Sequence, residues 1–152
     1  MTTRRLIPAL GPLYDGLAPY ADLLTRAVVG LFLVPHGAQK LFGMFGGYGI
    51  AGTGQFFATK LGMEPGWLFA LAAGLVEFVG GILLALGLFT RPAAAAAFVL
   101  LLVATFKVHW AAGFFNTAGG YEYALLWALV VLGFVIRGGG PLSLDAKLGR
   151  EF

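Results

Sequence analysis

The 152-residue sequence contains no cysteine, which excludes disulfides, thiolate metal sites, iron–sulfur clusters and thiol redox chemistry on this chain. Charged residues are also scarce, at 11% of the total, against about 25% in an average soluble domain. Hydrophobic residues make up 59%. So few charges could not cover the surface of a soluble domain of this size, so the composition indicates a protein surrounded by lipid.

Long apolar stretches make up most of the sequence. A membrane-spanning helix needs about 20 residues, and four stretches fit or approach that length, at residues 20–45, 67–89, 92–112 and 121–136. The fourth is short, and Arg137 at its end would have to extend toward the membrane surface. Pro35 falls inside the first stretch and is expected to kink that helix.

These stretches predict an all-α integral membrane protein, a four-helix bundle. Residues 53–63 are predicted to form a short interfacial helix between the first and second spans. That helix could be an amphipathic cap or a lid over a ligand site. We expect residues 1–19 to be a cytoplasmic or interfacial lead-in, 20–138 the four-helix domain and 139–152 a cytoplasmic tail.

The distribution of Lys and Arg predicts the orientation. An even number of spans puts both termini on one side, which then carries Arg4, Arg5, Arg91, Arg137, Lys147 and Arg150. The opposite side carries Lys40, Lys60 and Lys107. The excess predicts that both termini are cytoplasmic. The net charge of +3 is therefore explained by topology, and no nucleic-acid partner is expected.

Ionisable residues inside the predicted spans are the candidates for function, because each costs about 2.5–3.5 kcal/mol to insert. On the first helix Arg26 and Lys40 share a face with two glycines, and His36 borders it. Glu77 lies near the middle of the second helix. It is expected to form a structural ion pair, with Arg26 or with Lys40, or to exchange protons.

Several polar residues are predicted to converge above Glu77 in the outer half of the membrane. Lys40 and His109 would donate hydrogen bonds and Glu77 would exchange protons, which makes Glu77 and His109 the catalytic candidates. The substrate-binding candidates are His36, Lys40, Lys107, Glu122 and Phe114. With Phe42, Phe45 and Phe115 these groups suit a small aromatic ring with carbonyl oxygens, such as a quinone or quinol. No metal site is predicted, because two histidines and a distant glutamate are not a specific ligand set.

The same residues resemble the DoxX family of small bacterial membrane proteins over about residues 23–145. The matching motifs are Arg26-x3-Gly30-x5-His36-Gly37-x2-Lys40, Glu77-x2-Gly80-Gly81, His109-x3-Gly113-Phe114, Glu122-Tyr123-Ala124-Leu125 and Pro141-x-Ser143-Leu144-Asp145. The resemblance implies a four-helix bundle in the bacterial cytoplasmic membrane. It also implies a link to quinone-reducing thiosulfate oxidoreductases, quinol oxidase subunits or membrane redox-homeostasis complexes.

Three functions remain open at this point. The first is a quinone-associated redox subunit, whose electrons would come from a partner protein or a soluble donor, since the chain has no recognisable haem or flavin motif. The second is a non-enzymatic anchor that binds a partner or another copy of itself, with ion pairs that only set helix register. The third, a small transporter, is less favoured because no inverted repeat is visible.

Overall fold

The computed structural model describes residues 5–151, so the first four residues of the predicted lead-in and Phe152 lie outside the described part. Over residues 5–151 the chain is helical, with no β-strand. The helices are α1 (Gly11–Phe42), α2 (Gly49–Leu61), α3 (Gly66–Leu86), α4 (Thr90–Ala112), α5 (Glu122–Arg137) and α6 (Leu144–Lys147).

Helices α1, α3 and α4 are long and apolar enough to cross a membrane, which confirms three of the predicted apolar helices. Helix α1 begins at Gly11, earlier than the predicted start at residue 20, and continues through Pro19 and Pro35. A proline near its N-terminus, Pro12, suits the first turn of a helix, where its missing N–H has no intrahelical partner. Helix α5 has 16 residues, a length of about 24 Å.

Two of the long helices contain a π-helical segment. In α3 it covers Val76–Gly80, and in α4 it covers Ala104–His109. A π segment inserts an extra residue into the turn and changes which side chains share a face. Glu77 and His109 both lie in these segments, so their directions do not follow regular α-helical spacing.

Close contact between α1 and α3 depends on two glycines of α1. A β-carbon added at Gly37 would lie 2.7 Å from Cβ of Phe78 and 2.8 Å from the carbonyl oxygen of Gly74. One added at Gly30 would lie 2.5 Å from the backbone nitrogen of Ala85. All three distances are below van der Waals contact, so only glycine permits this approach of the two backbones.

The buried core is made mainly of small and branched side chains from α1, α3, α4 and α5. Its members are Val29, Leu33, Leu84, Ala94, Ala97, Val131 and Phe134. Many large apolar side chains point outward instead, for example Leu24, Leu31, Val99 and Leu129. An apolar exterior of this extent is what a surface in contact with lipid requires.

Two charged residues cap the helix ends that meet at the turn between α3 and α4. Arg26 is 0% exposed. Its guanidinium donates to the carbonyl oxygens of Leu84 (2.8 Å), Ala85 (2.6 Å) and Leu142 (3.0 Å). The first two belong to the last turn of α3, whose carbonyls carry the negative end of the helix dipole. The carbonyl of Leu84 also accepts from the backbone N–H of Gly87 at 3.1 Å.

Asp145 is the matching cap at the start of α4. Its Oδ1 accepts from the backbone N–H of Phe89 and its Oδ2 from that of Thr90, both at 2.8 Å. Burial by itself raises the pKa of the carboxyl group, but the bonds from Thr90 and Phe89 and the charge of Arg26 outweigh it and lower the pKa. We call Arg26, Asp145 and residues 84–90 the double cap.

We expect Gly37→Ala to destabilise the protein by about 1–3 kcal/mol, because the added methyl group has to push α1 and α3 apart. The measurement is the free energy of unfolding in mixed micelles. Gly16→Ala is the matched control, since a β-carbon there meets nothing within 4 Å. It should be neutral or stabilising by up to about 1 kcal/mol. Equal destabilisation by the two changes would contradict the close approach at Gly37.

We expect Asp145→Ala to destabilise the protein by about 1–2 kcal/mol at pH 7, since two N–H groups of α4 lose their cap. Because the pKa of Asp145 is lowered by folding, this contribution is complete above the ordinary value of about 3.9. It disappears as the pH falls through the lowered value. Melting temperatures of wild type and variant, measured from pH 7 down to pH 3, should therefore converge.

Glu151→Ala is the control for that measurement, because its carboxylate pairs with Arg91 at 3.2 Å on an exposed surface. Such pairs contribute about 0–1 kcal/mol. A difference between wild type and Asp145→Ala that persists unchanged at pH 3 would show that the carboxylate charge is not what the double cap uses.

Candidate functional site

A cavity of about 570 Å³ lies at the end of the molecule opposite the double cap. Residues of α1, α3, α4 and α5 surround it. The remaining wall comes from α2, the segment before α2, and the connection between α4 and α5. Its ionisable lining residues are His36, Lys40, Glu77 and His109. The structure therefore brings four of the predicted site residues into one place.

The central feature of the cavity wall is an ion pair between α1 and α3. Nζ of Lys40 lies 2.8 Å from Oε1 of Glu77 and 2.7 Å from Oε2. The lysine side chain is 23% exposed and the glutamate side chain 10%, so the lysine keeps more contact with the cavity. Gly37, one turn before Lys40, contacts the backbone next to Glu77 and holds the two helices at this spacing.

The predicted pair between Arg26 and Glu77 is not formed; Lys40, the alternative partner, occupies that position. Arg26 and Lys40 lie on the same face of α1 but 14 residues apart, which is about 21 Å along the helix. Glu77 lies level with Lys40, whereas Arg26 lies level with Leu84 and Ala85 at the end of α3.

The two histidines lie on different helices. His36 precedes Lys40 by one turn of α1 and is exposed to the cavity it lines. His109 ends the π segment of α4, and its Nδ1 lies 2.8 Å from the carbonyl oxygen of Gly119. The cavity is therefore bordered by imidazole rings as well as by the ion pair.

Lys107, Glu122 and Phe114 are not part of the cavity lining. Lys107 is exposed and lies two residues before His109, so it points to nearly the opposite side of α4. Glu122 begins α5, and its backbone N–H donates to the carbonyl oxygen of Phe114 at 3.0 Å. The sequence predicts that these residues lie at the same depth in the membrane as the cavity. Depth alone does not specify which face of a helix a side chain occupies.

The predicted aromatic lining also differs from the observed one. Phe42 packs edge-to-face on Phe78, with ring centroids 5.4 Å apart. Phe114 packs on Phe115 and on Tyr121, at 5.4 Å and 5.6 Å. Rings that were not predicted line the cavity instead, namely Tyr48, Phe56, Phe57, Tyr123 and Trp127.

Sequence reasoning also missed the neutral polar groups of the cavity: Gln39, Thr53 and Asn116. The sequence does contain a signal for two of the aromatic lining residues that were not predicted. Tyr123 and Trp127 are four residues apart and so share a face of α5. Gln39 likewise follows His36 by three residues on α1. No comparable signal identified Thr53, since its place depends on how α2 packs against α3.

The arrangement combines a large apolar surface with a few polar groups at defined positions, which is the usual composition of a small-molecule site. Lys40 can donate to a ligand oxygen, because an ammonium group has three N–H donors and only the carboxylate of Glu77 is bound to it among the described residues. His36 and His109 carry ring nitrogens that can donate or accept hydrogen bonds. Such a site can bind an oxygenated aromatic ring and handle its protons.

Comparison with known proteins connects the chain to a family. The family model described as DoxX matches residues 21–110. An "Uncharacterized protein" of Haemophilus influenzae is 38% identical over 140 residues, covering 88% of this chain and 94% of that protein. A Bacillus subtilis protein named "Putative oxidoreductase CatD" is 32% identical over 123 residues, covering 81% of this chain and 83% of that protein. No solved structure matches.

We expect Lys40→Met to destabilise the protein by about 3 kcal/mol, because it leaves the carboxylate of Glu77 buried without a counter-charge. The double variant Lys40→Met with Glu77→Gln should recover part of this loss. Unfolding in mixed micelles, followed by circular dichroism, measures both. Lys107→Met is the control, since Lys107 is exposed and forms none of the observed ion pairs among residues 5–151. A single variant as stable as this control would contradict the buried pair.

Proposed function

This chain belongs to the DoxX family of membrane proteins, and on that basis we propose that it is a quinone-associated subunit of a membrane redox complex. The observation that carries the proposal is the ion pair of Lys40 and Glu77 on the wall of a 570 Å³ cavity. Ligand pockets generally enclose about 300–1,000 Å³, so a single-ring head group fits this volume.

The chemistry of the lining supports a quinone or its hydroquinone as the ligand. A quinone ring is flat and apolar on its faces, and it carries oxygens that need hydrogen-bond donors. Aromatic rings from α2 and α5 supply the apolar surface, and Lys40 supplies a charged donor. Quinone reduction consumes protons, and Glu77, His36 and His109 are groups through which protons can be exchanged.

The source of electrons is the second part of the proposal. The Bacillus subtilis relative carries the word oxidoreductase in its name. This chain has no recognisable haem or flavin motif, and without cysteine it cannot use a thiol relay. We therefore assign the redox cofactor to a partner protein, with this chain supplying the quinone site within the membrane.

The proposed topology adds α5 as a fourth span to α1, α3 and α4, which completes a four-helix bundle. In it, α2 lies at the membrane surface and covers the cavity. The excess of Lys and Arg at the end that carries the double cap supports cytoplasmic termini in a bacterial cytoplasmic membrane. The cavity then opens on the side away from the cytoplasm.

A non-enzymatic anchor is the second candidate, and the closed geometry of the ion pair favours it. The charges of Lys40 and Glu77 neutralise each other without a ligand, as in a pair that only sets helix register. An anchor does not need the cavity beside this ion pair, whereas a ligand site does. Ligand binding therefore distinguishes the two candidates.

We expect saturable binding of tetramethylbenzoquinone or its hydroquinone by the full chain in nanodiscs, above the signal of empty nanodiscs. These probes have no free ring position, so they do not add covalently to lysine. Glu77→Gln should weaken binding of both probes, because Lys40 loses the carboxylate that positions it. His109→Ala should weaken binding of the hydroquinone, and each effect should be about tenfold, the effect of losing one good hydrogen bond. Isothermal titration calorimetry is the measurement.

Lys107→Ala and Glu122→Gln are the matched controls, because both residues carry charge at the same end of the molecule but lie outside the cavity. Their affinities should stay within about twofold of wild type, well below the tenfold step of one lost interaction. The quinone proposal fails if neither probe binds above the empty-nanodisc signal. It also fails if hydroquinone binding is the same in Glu77→Gln, His109→Ala and wild type.

A further inference from the structure

One ring nitrogen of His109 is hydrogen-bonded within the protein, and this bond determines whether the other nitrogen donates or accepts. Nδ1 lies 2.8 Å from the carbonyl oxygen of Gly119. A carbonyl oxygen only accepts hydrogen bonds, so Nδ1 must carry the proton. In a neutral imidazole ring Nε2 is then the unprotonated nitrogen, which is a hydrogen-bond acceptor. His109 therefore offers the cavity an acceptor, whereas sequence analysis expected a donor.

The carbonyl that sets this tautomer is held firmly in the segment between α4 and α5. Backbone N–H groups of Gly119 and Gly120 donate to the carbonyl oxygens of Asn116 and Phe115, at 2.8 Å and 2.9 Å. Gly119 has a φ of 80°, a left-handed conformation that glycine adopts without strain. Since the loop is bonded on both sides of Gly119, the direction of its carbonyl group, and with it the protonation of Nδ1, is a built-in feature.

Two of the ionisable residues that line the cavity thus present different hydrogen-bonding groups to a ligand. Lys40 presents N–H donors, and Nε2 of His109 presents a lone pair. A ligand that matches both needs one oxygen that accepts and one group that donates. A quinone has only acceptor oxygens, so one of them would place its lone pairs against those of Nε2. A hydroquinone or a phenol has the O–H group that His109 requires.

We propose that this cavity selects the reduced, hydroxyl-bearing form of its aromatic ligand, whose O–H donates to Nε2 of His109. This inference rests on the proposed function and specifies the form of the ligand. The oxidised quinone binds the same cavity more weakly, because the interaction with His109 is lost and replaced by repulsion between two acceptors. His109 is then a binding residue that discriminates between the two forms.

The test compares three ligands that share the same tetramethyl-substituted ring, on the wild-type full chain in nanodiscs under argon. They are tetramethylhydroquinone, tetramethylbenzoquinone and the dimethyl ether of the hydroquinone, which keeps both oxygens but has no O–H group. We expect the hydroquinone to bind about tenfold more tightly than the quinone and the ether. This comparison needs no variant, so it does not depend on how a substitution folds.

Variants then assign the preference to His109. His109→Phe should reduce hydroquinone affinity to that of the ether, and His109→Gln, whose carbonyl oxygen can accept, should restore part of the preference. Lys107→Ala, in the same π segment but outside the cavity, should keep it.

The possible failures are distinct. Equal or tighter binding of the quinone, or a preference that survives in His109→Phe, overturns the inference while the quinone site stands. Absence of binding by all three ligands overturns the proposed function together with it.

Discussion

Hydrocarbon offers no hydrogen-bond partner, so a polar group carried into a membrane has to find its partner inside the protein. Among residues 5–151, the two groups of buried charge bind partners inside the protein in different ways. Arg26 binds backbone carbonyls at the end of α3, while Glu77 binds the ammonium group of Lys40. One face of α1 carries both cations, and Gly30 and Gly37 between them let that face lie against α3. The packing of α1 on α3 thus follows from the need to satisfy charge.

The two ends of the molecule differ because their connections differ. Only three residues separate α3 from α4, and the chain end folds back so that Asp145 caps α4 beside Arg26. This short turn keeps the helices together and leaves the double cap closed. At the other end α1 reaches α3 through α2, and α4 reaches α5 through residues 113–121. These longer connections let the helices separate, and the cavity occupies the space between them.

The π segments of α3 and α4 place two of the ionisable residues that line the cavity. Each changes the phase of its helix at the depth of the cavity, and Glu77 and His109 lie within them. Such segments are often found at functional sites, because the extra residue directs a side chain that regular spacing would place elsewhere. Here the result is a carboxylate beside Lys40 on one wall and an imidazole held by Gly119 on another.

Much of the helical framework could be predicted from the sequence, because helix length, apolar composition and the positions of proline and glycine act locally. The polar face of α1 could be predicted for the same reason. The partner of Glu77, the exclusion of Lys107 and Glu122 from the cavity, and the tautomer of His109 could not. Each of these depends on how one helix is rotated against another and on where a loop carbonyl points, and those angles are set by packing between segments far apart in the chain. The sequence thus identified most of the ionisable groups at the site, and only the tertiary structure decided which of them face each other.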